Sequence, residues 1–309
     1  MRVLFWGTPE FGLPSLESMR AAGHEIVGAV TNPDRPAGRG RALRASPVKG
    51  WALDAGVPVL QPERPGEATF LDAARRLRPD VSVVAAYGRI LPRAALDLPA
   101  LGSFNVHASL LPALRGAAPI NWAIIRGHRE SGISIQRMVA ELDAGPVLGQ
   151  TRIPIHATMT AGELYEAAAA AGGAGIVDVL ADVEAGRAVE TPQDETRATW
   201  APKLDRAAAR IDWSRSAGEL ERWLRGCDPW PAAWTTLDGR SLQCFEPSVE
   251  AGGGAEPGTI IGTDAVGGLR VATGDRVLRI GAVKPESRRR MTSAAWVRGV
   301  AGLKGARFD

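Results

Sequence analysis

Strand-like and helix-like segments alternate along the N-terminal half of the chain, and this alternation constrains the fold more than any other feature. A helical pattern from Glu10 to Ala22 separates the first two strand-like runs, which are followed by two more; the four runs are RVLFWG, EIVGAVT, DVSVVAA and SFNVH. Such alternation is typical of a mostly parallel sheet with helices on both faces. The N-terminal part is therefore predicted to be α/β, with a Rossmann-like sheet.

The turn after the first strand bears on the kind of ligand. It reads GTPEFG from Gly7 to Gly12 and lacks the GxGxxG pattern of dinucleotide-binding sheets, so an NAD-dependent dehydrogenase is the least favoured alternative. In open sheets of this kind, ligands bind beyond the carboxyl ends of the strands. The candidate ligand-binding segments are therefore AYGRILP, after the third strand, and HASLLP, after the fourth.

The C-terminal third has a different character. After two probable strands, GISIQRM and PVLGQTRIPI, an Ala-rich helix is predicted from Thr160 to Val183, and a polar, irregular stretch follows. Beyond a short helix at 217–225, short strand-like runs alternate with Gly-rich turns, which favours a small OB-like β-barrel. We therefore expect a catalytic domain at 1–190, a linker at 191–210 and the OB-like domain at 211–309.

Composition excludes several classes of protein. The chain is 45% hydrophobic and 23% charged, as in ordinary globular proteins, and no uninterrupted apolar run reaches the roughly 18 residues of a membrane span. The two cysteines, Cys227 and Cys244, lack metal-ligand spacing, and none of the four histidines forms a close metal pair. We expect a cytoplasmic protein without a targeting segment, a disulfide framework or a metal.

The distribution of charge is more informative than its sum. Residues 1–205 carry 21 basic and 22 acidic side chains, whereas residues 206–309 carry 16 basic and 12 acidic ones. Of the 37 basic residues, 33 are Arg, whose guanidinium group pairs well with phosphate. Nucleic-acid contact is therefore permitted, although genomic base composition also produces such a bias.

Two polar side chains end the fourth predicted strand. The two-residue period of a strand places Asn105 and His107 on the same face, where an amide and an imidazole can stabilise the oxyanion formed at an attacked carbonyl. Asp143 lies in a predicted turn, ELDAG. A partly buried structural histidine and a turn-capping aspartate are the plain alternatives.

Two loops are candidates for ligand contact. AYGRILP brackets an apolar run with Gly and Pro, so that a flat ligand could lie there or the loop could simply pack on the core. The segment 32–46 holds four arginines, Arg35, Arg39, Arg41 and Arg44, with interspersed Gly and Pro. It is predicted to be a mobile loop that matches phosphates, with a solvated surface loop as the alternative.

These motifs together resemble the methionyl-tRNA formyltransferases, a family of folate-dependent formyltransferases, over the whole chain. The residues that carry the resemblance are GTPEFG, NPDRPAGRGRALRASPVK, AAYGRILP, NVHASLLPALRGAAPINWAI, LDAGPVL, WAPKLDRAAARIDW, CDPWP and VATGDRVLRI. The combination of NxHxSLLP with LDxG is specific for formyltransferases. The arginine-rich segment, APKL and the second domain are specific for the tRNA enzymes.

The resemblance implies a reaction and a set of site residues. It implies transfer of the formyl group of 10-formyltetrahydrofolate to the α-amino group of initiator methionyl-tRNA by a monomer, with Asn105, His107 and Asp143 as catalytic residues. It places folate against two loops, and tRNA against the basic segment, the linker and the OB-like domain at 211–309. The implied folate contacts are Ala86, Tyr87, Gly88, Ile90, Leu91, Ser109, Leu110, Leu111 and Pro112, and the implied tRNA contacts are Arg35, Arg39, Arg41, Arg44 and Lys203.

The sequence departs from the family pattern at a few positions. Ala113 and Leu114 stand where the family commonly has a basic and an aromatic residue, and Glu141 stands where a Gly precedes LDxG.

Two alternative functions require only some of these features. A formyltransferase for a small amine, such as glycinamide ribonucleotide or an amino-sugar nucleotide, needs no arginine-rich segment, and a non-catalytic tRNA-binding module needs no catalytic residues.

Overall fold

The chain forms two compact units in a computed structural model that describes residues 1–37 and 42–309. Unit 1 comprises Met1–Pro119, Glu130–Pro154 and Tyr165–Pro202. Unit 2 comprises Ile120–Arg129, Ile155–Leu164 and Lys203–Asp309. The chain therefore enters unit 2 twice before its C-terminal part begins.

The described residues contain eight α-helices and seventeen strands. The helices are α1 (Leu13–Ala21), α2 (Pro47–Asp54), α3 (Ala68–Arg76), α4 (Arg93–Leu96), α5 (Pro119–Ile125), α6 (Ala161–Glu184), α7 (Ala217–Cys227) and α8 (Ser293–Val297). The strands are β1 (Arg2–Gly7), β2 (Glu25–Val30), β3 (Arg35–Ala37), β4 (Ala42–Arg44), β5 (Val59–Leu60), β6 (Val81–Ala85), β7 (Ser103–His107), β8 (Arg115–Gly116), β9 (Glu130–Arg137), β10 (Val147–Pro154), β11 (Trp200–Ala201), β12 (Trp234–Leu237), β13 (Arg240–Glu250), β14 (Ile260–Thr263), β15 (Leu269–Ala272), β16 (Val277–Pro285) and β17 (Met291–Thr292).

Unit 1 is built on a seven-stranded sheet in the order β10-β9-β7-β6-β1-β2-β5. The strands from β7 to β5 pair in parallel, and β9 and β10 add to the β7 edge in antiparallel fashion. The chain passes from β1 to β2 on one side and later returns to β6 on the other, so β1 and β6 flank a topological switch point. The predicted α/β class, with its mostly parallel N-terminal sheet, is confirmed.

Burial on both faces explains why the central strands are almost wholly apolar. Every residue of β6 is buried, and Trp6 of β1 packs edge-on against Phe70 and Tyr87. Helix α6 approaches the sheet closely through its small residues, because a Cβ on Gly172 would lie 2.7 Å from Val106 of β7. The Ala- and Gly-rich sequence of α6 thus positions the strand that carries Asn105 and His107.

Unit 2 contains an antiparallel sheet in the order β12-β13-β16-β15-β14, with β17 paired to β16. Helix α7 begins with a capping box, in which Ser216 and Glu219 satisfy each other's backbone N–H groups. Cys227 and Cys244 are both buried, and burial raises the pKa of each thiol to about 12. This separate sheet confirms the predicted change of architecture in the C-terminal part.

One helix of the described part of the chain, α6, is long and apolar enough to cross a membrane by length and composition alone. It contains Glu163, Glu166, Asp178 and Asp182, so its apolar residues do not form an uninterrupted run. Its contact with β7 is the packing expected of a core helix.

Candidate active site

The carboxyl ends of β6 and β7 bring the two candidate loops to one edge of the sheet. The strands pair in parallel with Val84 opposite Asn105, so the loop that begins at Ala86 lies beside the end of β7. Strand β9 is antiparallel to β7 and places Gln136 opposite Asn105. The polar side chains of this edge therefore come from three strands and from the turns that follow them.

Asn105, His107 and Asp143 converge on this edge. The Nδ2 atom of Asn105 and the Nδ1 atom of His107 each lie 3.5 Å from Oδ1 of Asp143. The side chains of His107 and Asp143 are only 6% and 9% exposed. At 3.5 Å both contacts are looser than an ordinary hydrogen bond, and active-site contacts of this length often tighten only when a substrate binds.

The carboxylate of Asp143 is held more tightly by residues outside this group of three. Its Oδ2 accepts from the backbone N–H of Gly116 at 2.9 Å, and its Oδ1 accepts from Gln136 at 3.0 Å. Asp143 itself has a left-handed backbone with φ of +52°, which Asp tolerates better than most residues. The turn requires glycine at position 145, because a Cβ on Gly145 would lie 1.8 Å from the carbonyl oxygen of Arg137.

The imidazole of His107 lies between two acceptor oxygens. Its Nε2 is 3.1 Å from the carbonyl oxygen of Leu114, and its Nδ1 faces Asp143. A neutral imidazole carries one N–H and can donate to only one of these oxygens, whereas the protonated ring can donate to both.

The segment after His107 is shaped by buried hydroxyl and amide groups. Ser109 donates to the carbonyl oxygen of Ala113 at 2.6 Å, and Ser134 of β9 both accepts from Leu111 and donates to Ser109. The Leu111–Pro112 peptide bond is cis. Ser109 and Leu111 are buried, while Leu110 and Pro112 are partly exposed. Of these four residues, only Leu110 and Pro112 offer side-chain surface to a ligand.

The loop after β6 turns its backbone toward the surface. Ala86 and Gly88 both have positive φ and are exposed, and Ile90 is 79% exposed. Tyr87 points the other way into the core, where burial raises its pKa, and Leu91 is also buried. Tyr87 as a whole is only 2% exposed, and its backbone carbonyl oxygen accepts from Asn32 at 2.8 Å.

Strands β3 and β4, from the described part of the segment with the four arginines, pair as a two-stranded antiparallel hairpin. Arg35 of β3 is the register partner of Arg44 of β4, and both are exposed; Arg39 and Arg41 lie outside the described residues. At the base of this segment, hydrogen bonds from Lys49 and Gln61 lower the pKa of Asp34. Lys203 is exposed in unit 2.

Sequence reasoning missed the residues that surround Asp143. Gln136 donates to its carboxylate, and Gln193, from the polar stretch expected to be a linker, donates to its backbone carbonyl at 2.8 Å. Arg115 is 3% exposed and forms an ion pair with Glu195, whose pKa it lowers by hydrogen bonding. The position of Gln136 opposite Asn105 could have been found from strand pairing, but nothing in the pattern around 191–200 indicates such contacts.

The departures from the family pattern have limited consequences for the geometry. Leu114 is buried, and it faces His107 through a backbone oxygen that any residue would supply. Glu141 is exposed at the start of the turn. Within residues 1–37 and 42–309, no group of three or more His, Cys, Asp or Glu side chains is arranged to hold a metal ion.

Two family models match the chain. The model described as formyl transferase matches residues 1–180, and the model of the formyl transferase C-terminal domain matches residues 203–301. The chain therefore belongs to the formyltransferase family.

Individual relatives are more specific. The chain is 41% identical to the methionyl-tRNA formyltransferase of Bacillus subtilis, covering 96% of this chain and 94% of that protein. It is 43% identical to the methionyl-tRNA formyltransferase of Chloroflexus aurantiacus, with 97% of each chain covered. Both are full-length likenesses.

Among solved structures, the chain resembles HypX from Aquifex aeolicus in complex with tetrahydrofolic acid. The TM-score is 0.69 at 19% identity, and the match covers 98% of this chain but 48% of HypX. The chain thus spans about half the length of that protein. At this level of identity the likeness shows the fold alone.

Proposed function

We propose that this chain transfers the formyl group of 10-formyltetrahydrofolate to the α-amino group of initiator methionyl-tRNA. The observation that carries the proposal is the convergence of Asn105, His107 and Asp143 at the carboxyl edge of the unit 1 sheet. The full-length likeness to two methionyl-tRNA formyltransferases supports the choice of amine.

The residues at the sheet edge fit a folate donor. The loop after β6 offers exposed backbone at Ala86 and Gly88 together with the exposed apolar side chain of Ile90. Leu142, which directly precedes Asp143, is 54% exposed. Apolar side chains next to exposed backbone hydrogen-bonding groups suit a flat ring system with polar edges. The donor supplies an activated formyl carbon at the position that the three polar side chains surround.

The amine can act as the nucleophile without help from a side-chain nucleophile. An α-amino group titrates near pH 7.7–8.0 in model compounds, so much of it is neutral at cellular pH. Its nitrogen forms a bond to the formyl carbon, the bond from that carbon to the folate nitrogen breaks, and the amine proton passes to the departing nitrogen. No oxidant, reductant or metal is needed to balance this reaction.

Each of the three side chains has a role in this transfer. Asn105 donates a hydrogen bond from its amide group to the formyl oxygen as negative charge develops there. His107 stabilises the same charge through Nδ1, whose loose contact with Asp143 leaves it able to change partner. Asp143 takes up the proton of the attacking amine or holds the protonated imidazole.

The RNA side of the proposal rests on exposed basic groups. Arg35 and Arg44 lie side by side on the hairpin, and Lys203 is exposed on the segment that begins the C-terminal part. Residues 206–309 also carry an excess of basic over acidic side chains. Guanidinium and ammonium groups placed in this way contact RNA phosphates, and such contacts make binding dependent on salt.

The proposal is tested by identifying the formylated product. Wild-type protein is incubated with labelled 10-formyltetrahydrofolate and a mixture of methionyl-tRNA, glycinamide ribonucleotide and an amino-sugar nucleotide at equal concentrations. We expect the label on the methionyl amine in large excess. Label mainly on a small amine would assign a different formyltransferase activity, and binding of tRNA without transfer to any amine would favour a non-catalytic module.

A further inference from the structure

Gln193 joins the turn of Asp143 to a buried arginine. Its Nε2 donates to the backbone carbonyl oxygens of Asp143 at 2.8 Å and Gly145 at 2.7 Å. Its Oε1 accepts from Arg115 twice, from Nη2 at 2.8 Å and from Nε at 3.1 Å. The side chain of Gln193 is half-buried, although its neighbours in the sequence are exposed.

Only a carboxamide of this length satisfies both sets of partners. The guanidinium of Arg115 is a donor with no acceptor atom, and the two carbonyl oxygens are acceptors with no donor. A carboxylate at position 193 would face Arg115 well but would repel the carbonyl oxygens, and an aliphatic side chain would satisfy neither. Arg115 therefore determines which way the amide of Gln193 points.

Arg115 is itself held from the far side. Its Nη1 and Nη2 donate to the two carboxylate oxygens of Glu195 at 2.8 and 2.7 Å. Arg115 precedes Gly116, whose N–H binds the carboxylate of Asp143. The backbone turn and the carboxylate of Asp143 are thus anchored through neighbouring residues of one short strand.

The geometry assigns Gln193 as a positioning residue for Asp143, with Arg115 as the group that orients it. This inference rests on the proposed function, in which Asp143 must present its carboxylate to Asn105 and His107. Small displacements of a catalytic group lower the reaction rate by large factors. Loss of a hydrogen-bond partner that orients a functional group typically lowers activity by about tenfold to a hundredfold.

The kinetic test compares Gln193→Leu and Gln193→Glu with Asp194→Ala. Asp194 is exposed in the same segment, and its side chain binds only within its own turn, to the N–H and hydroxyl of Thr196. We expect both Gln193 variants to lower kcat by about tenfold to a hundredfold, with KM for donor and tRNA changed less than about threefold. Asp194→Ala should stay within about twofold of wild type.

Gln193→Glu guards against a trivial loss of folding, because it keeps the acceptor for Arg115 and changes only the contact with the turn, where a repelling carboxylate oxygen replaces the donor. If Gln193→Glu had wild-type kcat, the contact with Arg115 alone would suffice and the inference would be wrong. An equal loss of kcat in Asp194→Ala would show that the order of the whole segment, and not Gln193, is what matters.

A second measurement separates this inference from the proposed function. Hydrogen exchange of peptides covering 139–147 reports on the turn whether or not the wild-type protein formylates methionyl-tRNA. We expect faster exchange there in both Gln193 variants and unchanged exchange in Asp194→Ala. Unchanged exchange in the Gln193 variants would contradict the inference, and an inactive wild type would contradict only the proposed function.

Discussion

Two buried aspartates, one in each unit, have their negative charges stabilised by different kinds of partner. The side chains of Asp143 and Asp228 are 9% and 10% exposed, so they are equally removed from water. Asp143 accepts from a backbone N–H and an amide and faces an imidazole. Asp228 instead receives Arg290, whose Nη1 lies 3.2 Å from both of its oxygens.

In the proposed function the buried carboxylate of Asp143 takes part in chemistry, whereas that of Asp228 is held in an ion pair. A carboxylate paired with a guanidinium is neutralised by a group that cannot give up its proton at cellular pH. A carboxylate beside an imidazole can instead exchange a proton with its neighbour during a reaction. Equal burial of two carboxylates therefore does not indicate equal function, and their partners distinguish them.

The largest expected effect separates the two aspartates directly. We expect Asp143→Asn to lower kcat for methionyl-tRNA formylation by about two to three orders of magnitude, because the variant cannot accept a proton or hold a protonated His107. Asp228→Asn should remain within about twofold of wild type. Steady-state kinetics at saturating donor and tRNA measure both.

Folate binding serves as the control for Asp143→Asn. Its affinity for a non-reactive folate, measured by calorimetry, should stay within about threefold of wild type. Turnover of Asp143→Asn within about tenfold of wild type would remove the distinction between the two aspartates.

A smaller effect is expected for a comparison of arginines: one in unit 2 that pairs with carboxylates, and two in unit 1 that are exposed on the hairpin. Arg290 is paired with Asp228 and Glu246, whereas Arg35 and Arg44 are exposed register partners. Arg35→Ala combined with Arg44→Ala should lower kcat/KM for methionyl-tRNA by about tenfold and reduce the salt dependence of tRNA binding by about two counterions. Filter binding across a series of salt concentrations measures the slope.

The matched control removes two exposed arginines of helix α3, through Arg75→Ala combined with Arg76→Ala. This pair should leave both kcat/KM and the salt slope nearly unchanged. If the two double variants behaved alike, the hairpin would be an ordinary solvated surface and not an RNA contact.

The smallest effect concerns the pH dependence of stability. Burial raises the pKa of Asp228 above 3.8, although Arg290 acts in the opposite direction. Between pH 3.8 and the raised pKa of Asp228, the folded state therefore binds more protons than the unfolded chain. The free energy of unfolding falls as pH rises through this range. Asn does not titrate, so the stability of wild type relative to Asp228→Asn should decline as pH rises above 3.8.

Urea unfolding of both proteins at several pH values measures this decline. A difference in stability that stayed constant, or grew in favour of wild type with rising pH, would show that the ion pair with Arg290 dominates over burial.

The fold could be predicted from the sequence where one physical cause dominated. Burial on both faces makes β1 and β6 almost wholly apolar runs, and the Ala-rich composition of the following helix predicts α6 within a residue of its observed bounds. The hairpin of β3 and β4 could not be predicted in the same way, because its strands, RPA and ALR, are only three residues long. Short strands carry too little periodicity to be recognised.

The candidate site was predictable only in part. Asn105 and His107 share one strand, so the period of that strand alone places them together. Gln193 is 50 residues from Asp143 along the chain, and a polar side chain in an irregular segment has the same appearance in sequence whether water or protein satisfies it. Its role becomes visible only once the segment is seen against the turn.

The most direct test of the account is the single-turnover rate of formyl transfer to methionyl-tRNA by Asn105→Ala and His107→Ala. With enzyme in excess over labelled donor, the rate reports the chemical step, to which both side chains are proposed to contribute a hydrogen bond on the formyl oxygen. We expect each variant to be about two to three orders of magnitude slower than wild type, with donor binding nearly unchanged. A rate within about tenfold of wild type for either variant would contradict the proposal that this sheet edge is the formyl-transfer centre.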